Sequence, residues 1–428
     1  MPDTVAVDQR RGTPDSTAMA LAAYTTAVGA LFVRILLLSG ESGDYHYFLA
    51  PWYQHIASHG GFLALADPGF SDYNVPYLYL MAALTYLPLS ALAGIKWISI
   101  LSDLALAYYT FRIVSLLRPH RSWTPLCAAA VVLFLPTVVT NSAWWGQCDG
   151  IYTAFLVGGI HHVLRRRPWW ACTFFGIALA FKFQAVFLFP FLLVLVLVRR
   201  VPRRCLLAVP AAYLVLDVPA VLLGADPVRL LTVYARQTGT YRFLTVNAPS
   251  VYQFVSVPGD TEGVRSAGVL VAGALVALLV GLAMWALRGR RRFGEPGCGA
   301  GVQELTDIRV VLLAACSAVV VPFLLPSMHE RYFFAADVLT VLVAFGMPRQ
   351  LWYVPVLVQI SSFGSYVRCC VVPTVAPYVS MPAQGALMLL ALLALLRTAG
   401  HEIRRDPGAA AVPAQPSASG SAPATART

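Results

Sequence analysis

Apolar residues run along most of this chain in stretches long enough to cross a bilayer, separated by short polar gaps. The first three stretches lie at 18–38, 75–93 and 95–117, and a longer one fills the interval between Arg167 and Arg199. Inside hydrocarbon every backbone N–H and C=O must find its partner within the segment, so each crossing stretch predicts an α-helix. The pattern predicts an all-α polytopic membrane protein of about a dozen transmembrane helices.

The gaps that carry arginine set the orientation. Basic residues gather at Arg10 and Arg11, Arg118 to Arg121, Arg165 to Arg167, Arg199 to Arg204, Arg288 to Arg292, Arg349, and Arg397 to Arg405. All of these face the cytoplasm, with both termini inside, if an even number of helices separates each from the next. That condition requires one of the first three stretches not to cross. The middle one holds Pro76 and Pro88 and follows a polar loop, so it reads as an interfacial helix on the outer face. The condition also splits the stretch after Arg167 into a hairpin of two short helices, with Lys182 and Gln184 at its turn; a single tilted span is the alternative. Two long loops then lie outside, 39–75 and 224–265, and the second carries Arg229, Arg236 and Arg242 against the positive-inside bias. Arg368 is a further exception.

Composition agrees: 58% of residues are hydrophobic and only 12% charged, where a soluble domain carries about 25% charge. A cytosolic enzyme, a secreted disulfide scaffold and a nucleic-acid-binding protein are excluded. The net charge of +11 is spread over the cytoplasmic gaps rather than gathered in one patch. The eight cysteines show no CxxC pairs and support neither a disulfide framework nor a metal site. Residues 18–38 are too long for a signal-peptide core and read as a retained span. The segment beyond Asp406, rich in Ala, Pro, Ser, Gly and Thr, predicts disorder.

Polar residues that interrupt this pattern collect on the outer side. The first outer loop contains Glu41, Asp44, His46, Trp52, His55 and His59, with Phe48, Trp52 and Ile56 at the spacing of an amphipathic helix lying on the membrane. Asp44 follows Gly43, as a helix cap also would. His55 and His59 are one turn apart but lack a third metal ligand on that helix. Asp72, Tyr73, Asn74 and Pro76 form an entry turn, with Asp72 or Asn74 as the cap. Trp144, Trp145, Gln147 and Asp149 occupy an outer helix–helix turn. Lys182, and the run His329, Glu330, Arg331, are flanked by apolar spans and are costly there unless they pair or face a wet cavity. Glu330–Arg331 and an aspartate–Lys182 pair are the purely structural alternatives. Carboxylates, cations and aromatic rings together suit transfer of a sugar from a lipid phosphate. A carboxylate takes the proton of the attacking hydroxyl, cations stabilise the leaving phosphate, and rings hold the sugar.

At Gly43-Asp44-Tyr45, Asp72-Tyr73-Asn74-Val75-Pro76, Phe181-Lys182-Phe183-Gln184-Ala185 and His329-Glu330-Arg331, the chain resembles the GT-C superfamily of polyprenyl-phosphate-sugar-dependent glycosyltransferases. It is similar to bacterial relatives of the ER glucosyltransferases and mannosyltransferases that build the dolichol-linked oligosaccharide. The resemblance implies an outer catalytic loop with interfacial helices over 39–94, a transmembrane glycosyltransferase domain over 18–398, and cytoplasmic ends at 1–17 and 399–428. It implies that Asp44 is the general base. His329, Arg331 and Lys182 would bind the donor phosphate, with Glu330 beside them, and Arg236 and Arg242 would assist or gate the donor groove. Asp72, Tyr73 and Trp145 would position sugars, near Gln147 and Asp149. The family's Tyr-Pro-Pro segment is matched only in part by Asn74-Val75-Pro76, and its His-Glu-Lys motif carries arginine at Arg331.

The expected activity is inverting transfer of mannose or glucose from a polyprenyl-phosphate donor. The acceptor is a hydroxyl of a glycan, lipid or protein at the outer face of the cell membrane. No metal or other cofactor is called for, and no nucleic-acid partner. A lipid-linked saccharide flippase or secondary transporter is the alternative. Such proteins place charges near the midplane and show repeated halves, and neither is evident here.

Overall fold

The structure is a computed structural model and describes residues 16–118, 123–237, 243–257, 261–287, 305–372 and 374–404. The expectations placed on Arg10 and Arg11, Arg121, Arg242, the Arg288–Arg292 run and the tail after Arg404 lie outside the described residues.

The chain is helical almost throughout. In order, α1 (Ser16–Leu37) leads to α2 (Ala50–Ser58), α3 (Val75–Leu84), α4 (Ala91–Leu117), α5 (Trp123–Phe134) and α6 (Pro136–Val139). Next come α7 (Asp149–Leu164), α8 (Pro168–Phe181), α9 (Phe189–Leu197), α10 (Ala208–Leu223), α11 (Pro227–Leu231) and α12 (Val233–Gln237). The last six are α13 (Glu262–Leu287), α14 (Asp307–Leu324), α15 (Phe334–Gly346), α16 (Pro348–Leu351), α17 (Val354–Tyr366) and α18 (Met381–Arg404). Among the described residues seven helical segments are long and apolar enough to cross a membrane, and eight with the bent pair Trp123–Phe134 and Pro136–Trp145. Shorter apolar helices, Pro168–Phe181 and Phe183–Leu197 among them, complete the helical set.

Local chemistry places the breaks. Pro136 and Pro168 open α6 and α8, where a missing N–H costs nothing. The Lys96 ammonium sits at the end of α1, donating to the Leu37 carbonyl and to the Leu38 and Gly40 carbonyls just beyond it. The stretch after Arg167 divides at Lys182, whose extended φ of −156° and ψ of 135° end α8 before a 3-10 turn (Phe183–Leu188) begins. The stretch is thus broken into two short helical pieces, Pro168–Phe181 and Phe183–Leu197. The helix at Val75–Leu84 has ten residues, too few to cross.

Two hydrophobic cores support the fold. The larger fills the bundle of α4, α5, α7, α8, α9, α14, α15, α17 and α18. Its tightness shows at Gly150, where an added Cβ would collide with the Ser102 hydroxyl of α4. The smaller lies beneath the first long loop, where Trp52, Ile56, Leu65, Tyr77, Leu78 and Met81 pack together.

That second core corrects one expectation. Trp52 and Ile56 are covered by α3 and the 3-10 turn at Gly61–Ala66, so the stripe they form faces protein rather than lipid. Only Phe48, at the start of the stripe, stays exposed. The all-α reading holds apart from a parallel pair of two-residue strands, β1 (Thr245–Val246) and β2 (Met328–His329). The cysteines also depart from expectation at one place: Cys369 is joined to its neighbour Cys370.

Candidate functional site

The polar motifs converge at one end of the bundle. The first long loop brings in Asp44, the α6–α7 connection brings Trp145, Gln147 and Asp149, the α8 break brings Lys182, and the turn before α15 brings Glu330 and Arg331. Gly146 has a left-handed φ of 75°, which lets the chain reverse between Trp145 and Gln147 so that both side chains reach the same carboxylate.

That carboxylate is Asp44. Its Oδ2 accepts from the Trp145 indole Nε1 at 3.1 Å and from the Gln147 amide, and faces the Arg331 Nη1 at 3.4 Å. All three donors meet Oδ2, and Oδ1 takes none among the described residues. The Gln147 amide oxygen accepts from the Tyr73 hydroxyl at 3.5 Å, which fixes its nitrogen toward Asp44. Burial pushes the Tyr73 phenol well above its ordinary value of 10.0, so it remains a neutral donor.

A second carboxylate, Asp149, is fully buried below the first. Its Oδ1 receives the Lys182 Nζ at 2.6 Å; its Oδ2 receives the Asn141 amide at 2.9 Å and faces Arg331 Nε at 3.8 Å. Arg331 also bonds Glu330 at 3.1 Å. It therefore stands among three carboxylates, with the Trp145 ring 5.6 Å from its Cζ. Lys182 Nζ lies 5.6 Å from the centre of the Tyr73 ring. Both pairings weighed as structural, Glu330 with Arg331 and an aspartate with Lys182, are present. The same two cations also line a cavity.

The cavity has a volume of about 440 Å³. Its polar wall includes Asp44, Asp72, Tyr73, Gln147, Lys182 and Arg331; its apolar wall includes Phe181, Phe183, Val186, Phe187, Val269, Leu325 and Met328. A mixed lining of this kind suits a ligand with one polar and one hydrocarbon part.

Several expected residues sit elsewhere. Trp145, expected on a sugar face, is buried beneath the wall as a support for Asp44 and Arg331. Glu330 and His329 are also buried behind the cavity, with His329 Nδ1 3.8 Å from Glu330 Oε2 and the His329 backbone in the β1–β2 ladder. Asp149 acts on the cavity only through Lys182 and Arg331. Arg236 is exposed and bonds the Arg229 carbonyl and the Thr232 hydroxyl of its own segment, away from the cavity. Asn74 begins α3 but makes no cap; its amide bonds the Ala180 carbonyl and Asp217. His55 and His59 stack with ring centres 4.0 Å apart, and His55 stacks on Phe70.

Other lining residues escaped the sequence reading. Tyr234, Gln237 and Arg265 come from the second long loop and the start of α13. Arg265 was masked by its place just inside an apolar stretch. Tyr234 and Gln237 sit in a loop that carries no recognisable motif.

A model described as Glycosyltransferase family 87 matches residues 70–302. Among solved structures, the crystal structure of ArnT from Cupriavidus metallidurans bound to undecaprenyl phosphate is similar in fold. Its TM-score is 0.53 at 13% identity, over 91% of this chain and 78% of that one. No curated protein matches.

Proposed function

The chain belongs to glycosyltransferase family 87, and from that premise we propose that it moves a hexose, mannose or glucose, from a polyprenyl-phosphate donor to an acceptor hydroxyl. The reaction inverts the anomeric carbon and takes place on the outer face of the cell membrane. One observation carries the reading. The Asp44 carboxylate has its Oδ2 held by Trp145, Gln147 and Arg331, Oδ1 takes no such contact among the described residues, and Asp44 lines a cavity together with Lys182 and an apolar wall.

The chemistry follows from that arrangement. The acceptor oxygen attacks the anomeric carbon from the face opposite the phosphate, and its proton passes to Asp44 Oδ1 as the new C–O bond forms. The bond from the anomeric carbon to the phosphate oxygen breaks, and its electron pair leaves with the lipid phosphate. Arg331 and Lys182, already charged and fixed by their carboxylate partners, face the charge that grows there without needing to reorganise. Trp145 and Asp149 act through Asp44, Arg331 and Lys182 rather than on substrate. The apolar wall from Phe181 to Phe187 holds the first isoprenoid units. Asp72 and Tyr73 meet the sugar. The solved ArnT structure is of a complex with undecaprenyl phosphate, which supports a lipid phosphate in this fold.

Membranes containing the protein, incubated with radiolabelled polyprenyl-phosphate mannose and separately with the glucose donor, test the proposal. One of the two should label a lipid, glycan or protein product and release polyprenyl phosphate. Release of label as free sugar only, or lipid movement across the membrane with no glycosyl product, would overturn it.

A further inference from the structure

A second cavity lies toward the end of the bundle away from Asp44, and the proposed chemistry does not use it. It holds about 270 Å³ between α9, α13, α14 and α18. Its lining is almost wholly apolar, and the one charged side chain in it is Arg404, at the end of α18. An apolar cavity of about 150 Å³ already stays dry and takes up hydrocarbon. This one is larger and suits an acyl chain.

Its place in the bundle says where an occupant comes from. On α13, Val269 lines the first cavity and Trp285 the second, about 24 Å apart at 1.5 Å per residue. That is most of the ~30 Å hydrocarbon thickness of a bilayer, so the second cavity reaches the opposite leaflet. The two cavities are walled off from each other. Phe187 lines the first and Ser317 the second, and the Ser317 hydroxyl donates to the Phe187 carbonyl at 2.6 Å. Ala272, between them on α13, is buried. The open side is lateral, where Leu282 and Trp285 are 49% and 69% exposed. An occupant therefore enters from the membrane.

We propose that this cavity binds an anionic phospholipid of the leaflet opposite Asp44, with one acyl chain inside it and the phosphate on Arg404. Charge names the head group. No carboxylate lines the cavity, and Arg404 makes no ion pair among the described residues. A basic side chain at the mouth of an apolar pocket between helices attracts a lipid of net negative charge over a zwitterionic one. The chain also has a structural use. Among α13's residues only Ala272 and Leu287 are buried, so a chain held between α13, α9 and α14 supplies contacts that the bundle does not. The site is separate from the donor cavity, and its occupancy does not depend on what the protein transfers.

Purified full-length protein in phosphatidylcholine vesicles tests this through Trp285, whose indole a brominated acyl chain quenches on contact. The signal is the quenching that the wild-type protein shows and Trp285→Phe lacks. Brominated phosphatidylglycerol should bind with about fivefold the affinity of brominated phosphatidylcholine, the effect of one basic residue near the membrane surface. Arg404→Gln should make the two lipids equal while binding bare polyprenyl phosphate as before. Gly400 lines the same cavity, and a Cβ added there meets open space. Gly400→Leu should therefore fill the cavity and reduce quenching by both lipids. Should either variant fail to fold, the wild-type comparison of the two lipids decides alone. Equal affinity of the wild-type protein for both would overturn the anionic site. Loss of the signal on adding polyprenyl phosphate would also overturn it, giving the cavity to the donor's tail. So would loss on raising the protein density at fixed lipid composition, which would give it to a second copy of the chain.

Discussion

Arg331 reaches Asp44 at 3.4 Å across the cavity wall, joining the first long loop to the turn before α15. The contact has two consequences. It occupies one carboxylate oxygen together with Trp145 and Gln147, and it fixes a cation beside the carboxylate.

Removing the charge without the shape isolates the base. Asp44→Asn should lower kcat by about 10²–10⁴-fold, with the affinity for polyprenyl phosphate unchanged. Single-turnover assays and lipid-phosphate binding on the same preparation give both values. An unchanged kcat would remove Asp44 from the chemistry.

Lys182 and Asp149 test whether a buried pair is structural as well as functional. Their side chains are 7% and 0% exposed, so losing Lys182 strips Oδ1 of the buried Asp149 of its cation and leaves only Oδ2 with Arg331 and Asn141. Lys182→Met alone should cost about 3–5 kcal/mol of stability, and the double variant Lys182→Met with Asp149→Asn should recover much of that. Thermal unfolding in detergent measures the stability terms. Transfer should stay low in both variants, because one of the two cations proposed to face the phosphate is gone from each.

Much of this site was legible in the sequence because charge inside an apolar pattern is costly. Asp44, Asp149, Lys182 and Arg331 each interrupt or border an apolar stretch, and the structure brings all four together. The break at Lys182 was likewise legible from the requirement that basic gaps share one side. What failed to show was partnership at a distance. Arg34 looks like an end-of-span charge, yet it pairs with Asp103 at 2.8 Å inside the bundle, and Ser142 joins them. The stripe of Phe48, Trp52 and Ile56 has the period of a membrane-surface helix, but the period cannot say whether lipid or α3 covers it. The Asp44 partnership of Trp145 was hidden for the same reason: an indole at a helix end serves an aromatic belt, a sugar or a carboxylate with one sequence pattern.

The two long loops are tied above the cavity by Arg229 with Asp67, 2.8 Å apart, and by the Gln237 amide on the Asp72 carbonyl. The ion pair is exposed, 42% and 79%, so it contributes at most about 1 kcal/mol. Asp67→Ala should leave the unfolding temperature nearly unchanged. If the tie restrains the loops over the cavity, the variant should release polyprenyl phosphate several-fold faster, and added salt should do the same to the wild-type protein. Stopped-flow dissociation of a fluorescent lipid phosphate reads the rate, and no change in either case would show that the loops are held by other contacts.

Glu330 gives a pH dependence with a definite sign. Burial would raise its carboxyl, but the His329 imidazole beside it and the charge of Arg331 outweigh that and hold it below the ordinary value of 4.5. In the unfolded chain those neighbours are gone and the ordinary value returns. The folded state therefore binds fewer protons than the unfolded one across the interval between the two values. The stability contributed by Glu330 is fully present above about pH 4.5 and is lost as pH falls through the depressed folded value. Unfolding temperatures measured from pH 7 downward should fall more steeply below that point for the wild-type protein than for Glu330→Gln, which has no proton to take up there. At neutral pH the variant should be the less stable of the two, because Arg331 keeps only Asp44 and Asp149 as charged partners. Parallel curves for the two proteins across the acidic range would mean that the His329–Glu330–Arg331 contacts do not set the ionisation of this carboxyl.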